Sequence, residues 1–406
     1  MARKGVWKFL MRKVGGAVRA LALLLLALSI PSFATAAKKT PLVLKFGLLH
    51  QLKEPVTSLP HYLLPPENEG EAGAELALRD SNGSGKFLGH KYELETLSDY
   101  SSDRLVEGAK ELHEQGIRII LTNADTSTLQ QIRQTLGNEA IIVNYGNPDD
   151  RLRRTICVDK TLHTYPSRSM QTDALAQWML YRRLGKTLLL TGRHDADREY
   201  ASQAKLSMKK FGLKLLEEKS WTFDTDLRRT AGAELPLFTQ AGDYDVVWIA
   251  DESQEFGPYV PYNTWLPRPA IGTQGLRSTG WAVPIEQWAA IQLQNRFRER
   301  FERYMNSKDY AAWVGLRMFA EVMTKLNSNE PNALYNHLIS PDFELAAYKG
   351  RKLSLRPWNG QLRQPMPIHS ADALVATAPF EGFIHPTNEL DTLGADRQDS
   401  QCKLKI

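Results

Sequence analysis

The sequence predicts an α/β protein of two doubly wound, Rossmann-like lobes joined by a multi-crossover hinge. Three observations predict it. Short apolar β-type runs alternate with helix-patterned stretches from residue 42 onward, the alternation starts afresh after Thr155, and the last third adds two long helices and short strands with no sheet of their own. Repeated strand–helix units imply parallel sheets covered by helices on both faces. A chain that returns helices to the first lobe and strands to the second absorbs the remainder.

Residues 1–36 read as a secretory leader. Arg3, Lys4, Lys8, Arg12, Lys13 and Arg19 precede an apolar run over residues 20–30, and Ala34-Thr35-Ala36 supplies a small-x-small cleavage signal. An uncharged run of 11 residues is too short to span a hydrocarbon core, which needs about 20. Cleavage is therefore expected over an uncleaved anchor. Removing the leader's 6 cations from a net charge of +5 leaves about −1, so the basicity is an export signal and not a nucleic-acid surface. With no second long apolar stretch and no cysteine at the cleavage site, the expectation is a soluble, periplasmic monomer.

The first series reads as a strand over 42–49, a loop containing Pro55, Pro60, Pro65 and Pro66, and a helix over 69–79 that ends in the turn Asn82-Gly83-Ser84-Gly85. A strand over 92–97 follows, then a helix over 103–115, a strand over 117–121, a helix over 126–136 and a strand over 140–143. The second series has helices over 170–184, 198–211 and 225–241, and strands over 187–191, 213–217 and 245–250. Two long helices fall within 284–325, and β-type pieces lie at 353–356 and 373–378. This assigns 37–157 and 284–340 to the first lobe, 158–283 and 341–378 to the second, and 379–406 to a tail.

Cys157 and Cys402 are the only cysteines. An oxidising compartment favours a bridge between them over two free thiols. It would close a loop of about 245 residues, worth roughly 5 kcal/mol in loop-entropy models.

This element order resembles the type I periplasmic binding proteins of the branched-chain amino-acid receptor class. A sharper resemblance is carried by EGEAGAELALRDSNGSGKFLG (residues 69–89), HTYPSRSMQTDALAQW (163–178), RPWNGQLRQPM (356–366) and EGFIHPTNELDTLGADRQDSQC (381–402). On these stretches the chain resembles the ABC substrate-binding proteins associated with pyrroloquinoline-quinone-dependent alcohol dehydrogenase systems. The resemblance implies a solute trapped between lobes, ABC permease and ATPase subunits as partners, and a neighbouring quinoprotein dehydrogenase.

In open α/β sheets ligands bind beyond the carboxyl ends of strands, near helix N-termini. Five loops qualify. Asn123, Asp125, Thr126 and Ser127 follow one strand, and Asn144 and Tyr145 the next. Similarity to amino-acid receptors puts a carboxylate on Thr126 and Ser127, although such residues serve equally as helix caps. Tyr165, Ser167 and Arg168 lie near the first crossover. Arg193, Asp195 and Tyr200 follow a strand of the second lobe, with Tyr200 placed by similarity over the solute. Asp251 and Glu252 end the next strand, though charged loop residues are more often simply solvated.

The fifth loop holds Gln274, where amino-acid receptors use an acid to hold the ammonium group. A neutral amide cannot supply that charge, so an α-amino acid is a doubtful solute unless Asp251 or Glu252 substitutes. Trp281 and Trp265 would stack an aromatic solute if they face the cleft; core packing is the alternative.

An enzyme is the rival class, but no Gly-x-Ser-x-Gly elbow, His-Glu-x-x-His helix or Gly-x-Gly-x-x-Gly fingerprint occurs. No cofactor and no metal are expected. A sensor or scaffold that binds a partner protein of the dehydrogenase system remains the alternative to a transport receptor.

Overall fold

The computed structural model describes residues 41–54, 59, 63–222 and 226–403. The expected leader and the prolines at 55 and 60 lie outside them. Residues Pro41–Ile406 form one compact unit.

Strand β1 (Leu42–Gln51) is followed by α1 (Glu71–Leu88), β2 (His90–Asp99), α2 (Ser102–Glu114), β3 (Ile119–Asn123), α3 (Thr126–Leu136), β4 (Ile141–Asn144), the single turn α4 (Arg151–Arg154) and β5 (Thr161–His163). The strands make one parallel sheet in the order β2-β1-β3-β4-β5. Side chains of a strand alternate between faces, and here both faces are apolar. Phe46, Leu48, Ile119 and Leu121 enter one core, while Leu49, Ile120 and Ile142 enter another with Leu105 and Ala109 of α2 and Ile132 of α3.

The second lobe runs α5 (Arg168–Tyr181), β6 (Lys186–Thr191), α6 (Asp195–Lys210), β7 (Lys214–Ser220), α7 (Leu227–Phe238), β8 (Val246–Ala250), β9 (Ala270–Gly272) and β10 (Arg277–Ser278). Its parallel sheet has the order β7-β6-β8-β9. Leu189 and Trp248 face α5 and α6, while Leu188, Leu190 and Val247 face α7.

Three crossovers join the lobes. After residues 164–167 the chain enters the second lobe. It returns to the first for α8 (Ala290–Phe301), α9 (Ser307–Leu326), α10 (Pro331–Leu338), β11 (Leu345–Ala346), β12 (Lys352–Leu355) and β13 (Leu362–Arg363). It then crosses again to β14 (Met366–His369) and β15 (Leu374–Ala378), which form an antiparallel sheet with β10.

The structure draws the partition of the chain differently at two places. Thr161–His163 is the edge strand of the first sheet, hydrogen-bonded to β4. Leu345, Leu353, Leu355 and Leu362 are buried in the first core with α9 and α10. These strands are two to four residues long, too short for a period to declare which lobe covers them.

The expected turn at 82–85 is instead the last part of α1, which ends at Gly89 in the left-handed region at φ 72°. Asn82 explains the continuation: its side chain donates to the Tyr92 carbonyl and accepts from the Tyr92 N–H, both at 2.9 Å. Gly73 lets α1 lie directly on α9, since a Cβ there would sit 1.9 Å from the Asp309 carbonyl oxygen.

The tail touches both lobes. The Gly394 N–H donates to Asp173 of α5 at 2.8 Å, Lys210 of α6 donates to the Thr392 carbonyl at 2.9 Å, and Leu393 enters the second lobe's core. On the first-lobe side, Arg356 donates to Asp391 at 2.8 Å and to carbonyls of residues 390, 393 and 395. The Gln401 N–H donates to the Arg154 carbonyl at 2.8 Å. Cys402 is bonded to Cys157, with Cα atoms 5.1 Å apart.

Candidate ligand-binding cleft

Each sheet reverses its winding beside its first strand, between β1 and β3 and between β6 and β8. Such switch points open a crevice at the carboxyl ends of the strands. In the first lobe, Gln51 at the end of β1 and Asp125 after β3 meet there: the Asp125 N–H donates to Gln51 at 2.8 Å and the Gln51 amide donates back to the carboxylate at 3.1 Å. In the second, Asp197 of α6 accepts the Ser253 hydroxyl at 2.8 Å just beyond β8.

The first-lobe loops are bound to their own acids. Asp125 caps α3, accepting the Thr128 N–H at 2.8 Å and the Ser127 hydroxyl at 2.8 Å. Burial pushes the Asp125 carboxyl up, but the Thr128 N–H with the hydroxyls and Gln51 outweighs it and lowers the group to about 2. Thr126 donates its hydroxyl to Asp149 at 2.7 Å. Asn144 is fully buried and braces its loop, accepting the N–H groups of Gly146 and Asn147. Tyr145 is buried as well and shares a 3.2 Å hydrogen bond with His50. Asn123 ends β3 half-buried.

At the crossover, Ser167 caps α5 through the Met170 N–H at 3.2 Å. Arg168 beside it grips Glu252 with two parallel bonds of 2.9 and 2.7 Å and donates to Glu199 at 2.8 Å. Burial lowers the guanidinium, yet Glu252 and Glu199 more than offset this and leave it raised. Asp251 is fully buried and accepts the N–H groups of Glu255, Phe256 and Gly257 at 3.1, 2.9 and 2.6 Å. Arg193 pairs with Glu255, and Asp195 is exposed and pairs with Arg198. Gln274 is half-buried in the loop after β9.

Two expected aromatic walls lie inside cores. Tyr200 is only 2% exposed among α5 and α6 residues. Trp281 is equally buried, stacked on Tyr310 of α9 at 4.5 Å and donating its ring N–H to Gln294. Trp265 is exposed, half its surface open. Tyr165, by contrast, is half-buried at the seam: burial raises its phenol, and Lys308 and Glu69 of the first lobe and Glu252 and Arg168 of the second all act on it.

Glu69 and Lys308 are functional candidates that sequence reasoning missed. They meet at 2.6 Å from positions 239 residues apart, a pairing that spacing cannot reveal. Burial lowers the Lys308 ammonium, and Glu69 outweighs this and leaves it raised. Arg151 and Asp149 were also missed. Arg151 is held by Asp149 at 2.7 Å and reaches Glu199 of the second lobe at 3.5 Å, beside a cavity of about 270 Å³ that Arg168 also lines.

Two parallel-sheet lobes with three crossovers and paired crevices are an architecture shared with known receptors. Residues 65–374 match the family model described as "Periplasmic binding protein". The chain belongs to the periplasmic binding protein family. It is a solute-binding receptor and not an enzyme, and members of the family sit in the periplasm and serve ABC transporters.

Among solved structures, this binding protein is similar to a branched-chain amino-acid ABC transporter periplasmic ligand-binding protein from Burkholderia xenovorans. The TM-score is 0.68 and the identity 14%, over 82% of this chain and 95% of that one. It is also similar to an ABC transporter substrate-binding protein from Sphaerobacter thermophilus, with a TM-score of 0.67 and 16% identity over 83% and 98% of the chains. A third is the solute-binding protein of an ABC transporter from R. palustris in complex with benzoate, with a TM-score of 0.64 and 13% identity over 89% and 100%. At such identities the likeness establishes the fold. No curated protein matches.

Proposed function

We propose that this binding protein is exported by its N-terminal leader and works in the periplasm as the solute receptor of an ABC importer. A small organic molecule is captured at the seam between the two crevices, with Tyr165 and the Lys308–Glu69 pair among its contacts. The observation that carries this reading is the position of Tyr165, half-buried on the first crossover within the field of charged groups from both lobes. A molecule lodged there touches both lobes and stabilises the closed state by its differential affinity. The neighbours named as a branched-chain amino-acid ABC transporter periplasmic ligand-binding protein and as a solute-binding protein in complex with benzoate add support for a small organic solute.

Service to a quinoprotein alcohol-oxidation system is proposed on the four distinctive stretches quoted above. A sensor or scaffold role is favoured by one observation, the density of internal ion pairs at the seam.

The test is thermal unfolding of the mature protein against alcohols, aldehydes, acids, amino acids and pyrroloquinoline quinone. Ligand at 100 times its dissociation constant adds about 2.7 kcal/mol. A saturable shift lost in Tyr165→Ala supports the receptor. A well-folded protein that no compound stabilises supports the scaffold.

A further inference from the structure

We infer that the solute of this cleft is an uncharged polar molecule and not a carboxylate, an ammonium ion or a zwitterion. The inference rests on the receptor reading above and concerns what that receptor selects.

An anion entering an α/β crevice is held by free N–H groups at helix N-termini and turns. Here at least one such group at each of several helix starts and turns is occupied by the chain's own carboxylates. Asp125 takes the Thr128 N–H of α3, Asp150 takes the Ser169 N–H of α5 at 3.0 Å, and Asp197 takes the N–H groups of His194 and Ser253 at 3.1 Å each. Asp251 fills the turn over residues 255–257, and Asp309 of α9 takes the Gly70 N–H at 2.8 Å. The hydroxyls that similarity assigns to a carboxylate, Thr126 and Ser127, donate to Asp149 and Asp125. A carboxylate solute would have to displace an internal carboxylate and lie against others, a like-charge arrangement that is unfavourable in a partly buried site.

The cations facing the seam are engaged too. Lys308 is paired with Glu69, Arg168 with Glu252 and Glu199, and Arg193 with Glu255. The same pairs disfavour an ammonium ion at Glu69 and Glu252, whose carboxylates already hold a cation, whereas Glu255 keeps one buried oxygen without a hydrogen-bond donor among the described residues. Glu69 accepts from Lys308 at 2.6 Å and Asn306 at 2.8 Å, and both Glu252 oxygens are held by Arg168. Removing one partner of a buried pair leaves an uncompensated charge, so the pairs resist competition.

At the strand ends and on the first crossover the polar side chains left over are neutral, while the half-buried Arg277 of β10 carries a cation that no acid among the described residues pairs. Among the described residues, the Asn123 amide, the Tyr165 hydroxyl and the Gln274 amide make no hydrogen bond to another residue. All three stand at strand ends or on the first crossover, half-buried. Amides and a phenol offer donors and acceptors without net charge, the complement of hydroxyl or carbonyl groups on a neutral solute. Half-buried polar groups of this kind discriminate, since a solute that fails to match them leaves them unpaired.

The test uses two shape-matched triplets on the mature, oxidised protein: benzyl alcohol, benzoate and benzylammonium, and 3-methylbutanol, 3-methylbutanoate and 3-methylbutylammonium, with leucine as the zwitterion. Dissociation constants come from calorimetry and thermal shift. The expected result is that the neutral member of a triplet binds at least tenfold tighter than either ion. Gln274→Ala and Tyr165→Phe should each weaken it severalfold without lowering the unliganded melting temperature. Tighter binding of an acid, an amine or leucine would overturn the solute class and leave the receptor standing. A folded protein that binds none of the seven overturns the receptor reading and this inference with it.

Discussion

Arg151 stands between two carboxylates of different lobes, 2.7 Å from Asp149 in its own and 3.5 Å from Glu199 across the seam. The pair with Glu199 can form only while the lobes are close. Both side chains are largely solvated, so its worth is at most about 1 kcal/mol, a factor of about five in the closed population. Arg151→Ala is expected to raise the radius of gyration of the unliganded protein in X-ray scattering and to weaken solute binding up to about fivefold. High salt should mimic the substitution in the parent and have little effect in the variant.

Arg168 is a harder loss. Its guanidinium is buried and satisfies Glu252 through a planar fork and Glu199 besides. Arg168→Ala leaves Glu252 without its cation and Glu199 with Arg151 alone, and is expected to cost about 3 kcal/mol in urea unfolding. Arg168→Lys keeps the charge but not the fork, and should recover only part of that loss.

Asp125 gives the cleft an acid limit. Its folded-state value, about 2, lies below the ordinary 3.8. A depressed carboxyl contributes stability that is present above the unfolded value and lost as the pH falls through the folded one. Part of the acid unfolding between pH 4 and 2 should therefore disappear in Asp125→Asn, which still caps α3. Asp125→Ala should cost about 1 kcal/mol at neutral pH through the lost cap. Urea midpoints across the pH range separate the two variants.

Much of the fold was legible because a parallel strand covered on both faces must be apolar at every position, as 119–121 and 246–250 are. The helix after β3 declares itself through its cap, Asp125. The passage of α1 through Gly83 and Gly85 was not legible, since it depends on Asn82 holding the backbone of a strand that has not yet been made. The site suffered the same limit. Thr126 and Ser127 look like an anion cradle until Asp149 and Asp125 are seen to occupy them. Tyr200 and Trp281 look like pocket walls until the helices that cover them are in place.

Loss of the Cys157–Cys402 bond should be felt beyond the tail. Removing a native disulfide costs typically 2–5 kcal/mol. Here it also frees the Gln401 and Ser400 contacts to residues 153 and 154. Cys402→Ser is expected to lower the melting temperature and to speed amide exchange in α4 and in residues 389–402. Exchange in β1 and β3 should be unchanged.

The bond also makes the molecule a closed covalent circuit. Everything from residue 157 to residue 402 lies within it, including the whole second lobe and all three crossovers. A protease that cuts one exposed loop of that circuit therefore releases nothing: both new ends stay tethered, and the fragment parts company only when a reductant opens the sulfur link. In the compartment where such receptors live, a single nick need not be the end of the receptor.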